Sequence, residues 1–137
     1  EVEQVRALNP FDDREEYNTF MDLFSDLMNA LVAKDLLSAL ECGETVAALE
    51  SREKQKAFCT FVSECLRKIF FFQQNLPQIA GVSEQEEAFY MNMAGRCGRK
   101  FCSKSVADVE KVVAMIDRNV SSKILFTDLV NRMFLNI

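Results

Sequence analysis

SREKQKAFCTFVSECLRKIFFF, residues 51–72, is the stretch whose pattern decides the fold. Within it Phe58, Phe61, Val62, Cys65, Leu66, Ile69, Phe70 and Phe72 recur at three- and four-residue steps, which places them on one broad helical face. A half-buried strand would alternate apolar and polar residues, and this segment does not. Ser51 stands where its hydroxyl can accept a hydrogen bond from an unpaired backbone N–H of the first turn, so a long helix capped at Ser51 is predicted. So wide an apolar band suits a central helix touched on several sides. Asn75, Leu76 and Pro77 end it, because proline pushes the residue before it out of helical geometry.

Upstream, Tyr17, Phe20, Phe24, Leu27, Met28 and Leu31 trace another apolar face behind Asp12, Asp13, Glu15 and Glu16, whose charges suit the positive end of a helix dipole. A shorter helix is predicted over 36–49 on Leu37, Leu40, Val46 and Leu49. Gly43 is its weak point, since glycine costs about 1 kcal/mol in a helix interior relative to alanine. Downstream, Ser83 and Glu86 have capping-box spacing, predicting a helix with Phe89, Tyr90 and Met93 before Gly95 and Gly98 interrupt. Val106, Val109, Val113 and Ile116 define the next helix, with Ser105 as its cap. Ile124, Leu125, Leu129, Val130, Met133 and Phe134 define a last one from about Ser122. The expected fold is all-α: a single bundle of five to six helices over residues 12–137, behind a lead-in of residues 1–11.

Composition agrees. Four glycines and two prolines in 137 residues are few for a protein built from strands and tight turns. A chain of this size buries roughly two-thirds of its unfolded surface, so a real core is available. Apolar runs such as Ile69–Phe72 are far short of the roughly 20 residues a membrane span needs. No basic-then-apolar leader opens the chain, so a cytoplasmic protein without membrane contact is expected. Five cysteines, an odd number without a recurring short spacing, read as reduced thiols: Cys42, Cys59, Cys65, Cys97 and Cys102. The chain opens on Glu1 without an initiator Met, which suggests a piece of a longer protein.

Little chemistry is on offer. There is no histidine, the commonest general base and metal ligand. Cys97 and Cys102 lack a second pair to complete a zinc site. Gly95 and Gly98 lack the Gly-Lys-Ser/Thr that completes a phosphate loop, so ATP binding is not expected of this segment. Glu15 with Glu16 and Glu86 with Glu87 stand at helix starts, where a dipole partner is the natural role. No catalytic residue, metal, cofactor or small-molecule substrate is expected.

Charge is uneven. Residues 1–50 hold 12 acidic and 3 basic side chains, a net −9, whereas residues 51–137 hold 9 acidic and 13 basic, a net +4. The acidic part suits a basic partner. Arg96, Arg99, Lys100 and Lys104 offer a phosphate contact, with an ordinary solvated surface as the alternative. Phe70, Phe71 and Phe72 must point three ways around one helix, so one faces away from the local core. With Arg52 and Lys56 of the same helix they form the candidate partner interface.

Two segments, Arg52-Glu53-Lys54-Gln55-Lys56-Ala57-Phe58 and Arg118-Asn119-Val120-Ser121-Ser122-Lys123-Ile124-Leu125-Phe126-Thr127-Asp128-Leu129, with Glu84-Gln85-Glu86-Glu87-Ala88-Phe89 between them, carry a resemblance. In order and spacing they resemble the C-terminal collar domain of the delta-prime-like clamp-loader subunit (often labelled delta subunit) of DNA polymerase III in Bacteroidetes. Gly95, Cys97 and Gly98 depart from the smoother apolar stretch of that family. The resemblance implies a parent whose N-terminal ATPase-fold module lies outside this fragment. It also implies a collar by which five subunits form a ring that loads the sliding clamp onto primed DNA. The partners would be other clamp-loader subunits, with DNA and clamp met through the parent's other modules. The rival expectation is a helical nucleic-acid-binding domain using the basic second half.

Overall fold

A computed structural model describes residues 10–137, with side chains from Arg14 onward. Seven helices and no strand occur among the described residues: α1 (Pro10–Val32), α2 (Leu36–Ala47), α3 (Arg52–Gln73), α4 (Pro77–Ala80), α5 (Glu84–Arg96), α6 (Phe101–Ile116) and α7 (Ser122–Asn136). The protein is an all-α bundle. Residues 1–9 of the expected lead-in lie outside the described residues, and Pro10 already opens α1, since its fixed φ and missing N–H suit a first helical position.

Local chemistry sets the boundaries. Ser51 is extended, and its Oγ accepts from the Lys54 backbone N–H at 3.1 Å, as the sequence predicts. Asp35 caps α2 by accepting from the Ser38 N–H at 3.2 Å and its hydroxyl at 2.7 Å, which lowers its pKa. Lys34 and Asn75 take left-handed backbone, at φ 62 in each case. The N–H groups that follow reach back five residues, Asp35 to the Ala30 carbonyl and Leu76 to that of Phe71, each at 2.9 Å. These bonds satisfy carbonyls that the ends of α1 and α3 would leave orphaned.

α3 is the hub, touching α1, α2, α4, α5 and α6. α7 lies against α6 on one side and α2 on the other, so the last helix closes on the second. Phe24, Leu66, Ile69, Tyr90, Phe101 and Met133 are fully buried where these faces meet.

Two expected caps fail, and two other readings gain detail. α2 runs unbroken through Gly43, because the glycine makes room for α7: a Cβ there would stand 3.0 Å from Val130 Cγ2 and 3.4 Å from the Phe126 carbonyl oxygen. Ser83 makes no side-chain cap, and the Glu86 carboxylate instead accepts from the Tyr17 hydroxyl of α1. Ser105 is no cap either. α6 starts four residues earlier at Phe101, and Ser105 is buried inside it, accepting from Asn136 Nδ2 at 3.2 Å. Pro77, which follows the end of α3 as expected, also begins the one-turn α4.

Gly43→Leu should cost about 1–3 kcal/mol by overpacking the α2–α7 contact, lowering the urea midpoint. In Gly43→Ala the gain of about 1 kcal/mol in helix propensity works against the crowding, leaving stability near the parent's. A Gly43→Leu protein as stable as the parent would show that α7 can retreat.

Candidate functional site

The two outer resembling segments meet in space. Gln55, only 4% exposed, donates from Nε2 to the Ala47 carbonyl at 3.2 Å and accepts at Oε1 from the Ser122 hydroxyl at 3.2 Å. One buried amide thus ties the end of α2, the start of α3 and the start of α7. Next to it, the Lys56 ammonium pairs with the Asp117 carboxylate just past α6, which holds the lysine above its ordinary pKa. Lys54 pairs with Glu16 of α1 at 2.7 Å. Lys56 is therefore engaged within the chain, and Arg52 stands exposed at the first position of α3.

The three phenylalanines separate as their helical angles require. Phe72 is 9% exposed and stacks on Tyr90 at 5.9 Å between centroids, so it belongs to the core of this domain rather than its surface. Phe71 is half-buried. Phe70, 39% exposed, lies 6.2 Å from the Phe71 ring and lines a shallow trough of about 290 Å³ between α3 and α6. Leu66, Arg67, Cys102, Ser103 and Val106 complete the trough. Leu76 and Ile79, in the connection after α3 and in α4, are also exposed.

The basic cluster flanks the α5–α6 junction. Arg96 ends α5, Arg99 and Lys100 lie in the connection, and Lys104 is in the first turn of α6; all four are exposed. No acidic residue occupies that first turn. The junction is held from below by Gln73, whose Nε2 lies 3.2–3.4 Å from the carbonyls of Ala94, Cys97 and Gly98.

The thiols are free. Burial pushes Cys59 and Cys102 up to about 12, and Cys65 and Cys97 up to about 11. Such thiols stay protonated and inert at neutral pH. Cys42, half-buried, is the accessible one, its pKa raised by burial and then by the Asp26 and Glu41 carboxylates. Among the described residues no three His, Cys, Asp or Glu side chains converge on a metal position, and no helix is long and apolar enough to cross a membrane.

Sequence reasoning missed a second concavity. Between α1 and α2 runs an open trough of about 530 Å³, whose lining includes Leu23, Asp26, Ala30, Asp35, Glu41 and Cys42. The acidic excess of residues 1–50 was its only signal. No protein family, curated protein or solved structure matches this chain.

Proposed function

We propose that this chain is the collar-type assembly domain of a delta-prime-like DNA polymerase III clamp-loader subunit, acting in the cytoplasm through packed helical surfaces and carrying no chemistry of its own. The observation that carries the reading is Phe70, exposed beside the α3–α6 trough that Leu66, Cys102 and Val106 line with it. Contiguous exposed apolar surface of this kind marks protein contact. The junction of Arg52–Phe58 with Arg118–Leu129 through Gln55 and Ser122 supports it further, because two of the three segments that carry the resemblance are tied together.

The test is reconstitution. Mixed with the other loader subunits of its own bacterium, the chain should co-elute with at least one of them by size-exclusion chromatography with light scattering, and alone it should turn over no ATP. Phe70→Glu should weaken co-elution at least tenfold without lowering the melting temperature. ATP hydrolysis by the chain alone, or failure to join any loader subunit, would refute the reading. The exposure of Arg96, Arg99, Lys100 and Lys104 at one junction favours direct nucleic-acid binding as a second reading. DNA affinity that falls steeply with salt, and is lost when Arg96, Arg99 and Lys100 become alanine, would select it instead.

A further inference from the structure

The α1–α2 trough combines an apolar floor with a rim of one charge. On α1, Asp26 and Asn29 line it at helical spacing and are exposed, with Ala33 just past the end of the helix. On α2, Ser38, Glu41 and Thr45 line it at the same spacing. Leu23, Ala30 and Cys42 form the floor between these stripes, and every charged side chain that lines the trough is a carboxylate: Asp26, Asp35 and Glu41. Two antiparallel helices joined by a tight turn leave a furrow of the shape a third helix fills by ridge-into-groove packing. The floor asks for aliphatic side chains. The rim asks for positive charge, since its carboxylates repel one another until a cation lies between them.

We infer that this trough is the docking site for an amphipathic helix of a neighbouring subunit, with small or aliphatic residues along its seam and lysine or arginine on its flanks. The identity of that neighbour rests on the clamp-loader reading; the chemistry of the occupant does not. A subunit placed inside a ring has two flanks, and the acidic trough and the surface at Phe70 give this chain two unlike contact surfaces. Charge complementarity at the trough speeds association and makes it salt-sensitive, while the apolar seam supplies the hold.

Cys42 is a built-in reporter: it lies in the trough while the other four thiols are buried. Maleimide labelling of the folded full chain should therefore modify Cys42 first, and its rate should fall at least tenfold in complex with the loader subunits. Asp26→Lys with Glu41→Lys alters two exposed side chains. That variant should melt like the parent yet assemble at least thirtyfold more weakly, whereas Arg99→Glu with Lys104→Glu should assemble as the parent does. If the parent chain assembles but Cys42 labels at its free rate and the trough variant binds normally, the inference is overturned and the assembly reading stands.

A designed helical peptide separates the two claims. With a leucine seam and lysine flanks it should slow Cys42 labelling of the free chain, and the same peptide with glutamate flanks should not. Protection by the lysine peptide in a chain that joins no loader subunit would uphold the trough and refute the clamp-loader reading. Equal labelling rates with both peptides would overturn the trough.

Discussion

Raising the pH from about 8 to about 10 should strip this domain of roughly 4–5 kcal/mol of stability. Burial lifts the pKa of Cys59, Cys65, Cys97 and Cys102 from the ordinary 9.0 to about 11–12, because their surroundings solvate a thiolate poorly. In the unfolded chain the same thiols ionise near 9. Folding is thus undisturbed below that value and opposed above it, as the unfolded state alone releases its protons. The penalty is about 1 kcal/mol per thiol at pH 10, set by the 1.36 kcal/mol that each pKa unit represents. Four of them consume much of the roughly 5–15 kcal/mol that holds a typical domain together. Tyr90, fully buried and also raised, adds to the loss at higher pH. Urea midpoints measured across this range should fall steeply, and Cys59→Ala combined with Cys102→Ala should flatten the fall. A midpoint indifferent to pH between 8 and 10 would mean that the thiols ionise in place.

Phe24→Ala should cost about 3–5 kcal/mol, or on the order of 10 °C in Tm. Phe24 is completely enclosed where α1, α3 and α5 meet, its ring edge-on to Phe61 at 6.5 Å and to Phe89 at 6.0 Å. Truncation removes the transfer energy of the ring, opens a cavity and breaks two aromatic contacts at once. Phe24→Leu, which refills part of the space, should lose less than half as much. Met91→Ala, an exposed position on α5, should stay within about 0.5 kcal/mol and serves as the comparison. A loss of under 1 kcal/mol for Phe24→Ala would show that the three helices can close over the gap.

Where the fold was legible, the signal was local. The apolar stripes of α1 and α3 and the Ser51 cap need only the residues within a few turns, and they stand where the pattern puts them. The failures share a cause in distant partners. Glu86 has the spacing of a capping box but is 69 residues from the Tyr17 hydroxyl that claims it. Gly43 looks like a helix breaker until α7 is seen to need its missing side chain. Ser105 resembles a cap until Phe101 and Cys102, buried on the same face, pull the start of α6 forward.

The candidate interface divides in the same way. That three consecutive phenylalanines must diverge follows from helical geometry, but which one is covered depends on where α5 brings Tyr90. Lys56, counted into that interface from the sequence, instead pairs with Asp117, 61 residues on. The acidic excess before residue 50 was countable; that Asp26, Asp35 and Glu41 line one furrow depends on the turn at Lys34 and is visible only in three dimensions.

The seating of α7 against α2 has a consequence for biosynthesis. A ribosome delivers the first two helices long before residues 122–136, and until those emerge from the exit tunnel the side of α2 around Ala39, Gly43 and Val46 has nothing to cover it. The newborn chain therefore waits with greasy surface uncovered until those residues have emerged, a window in which a holding chaperone has most to offer.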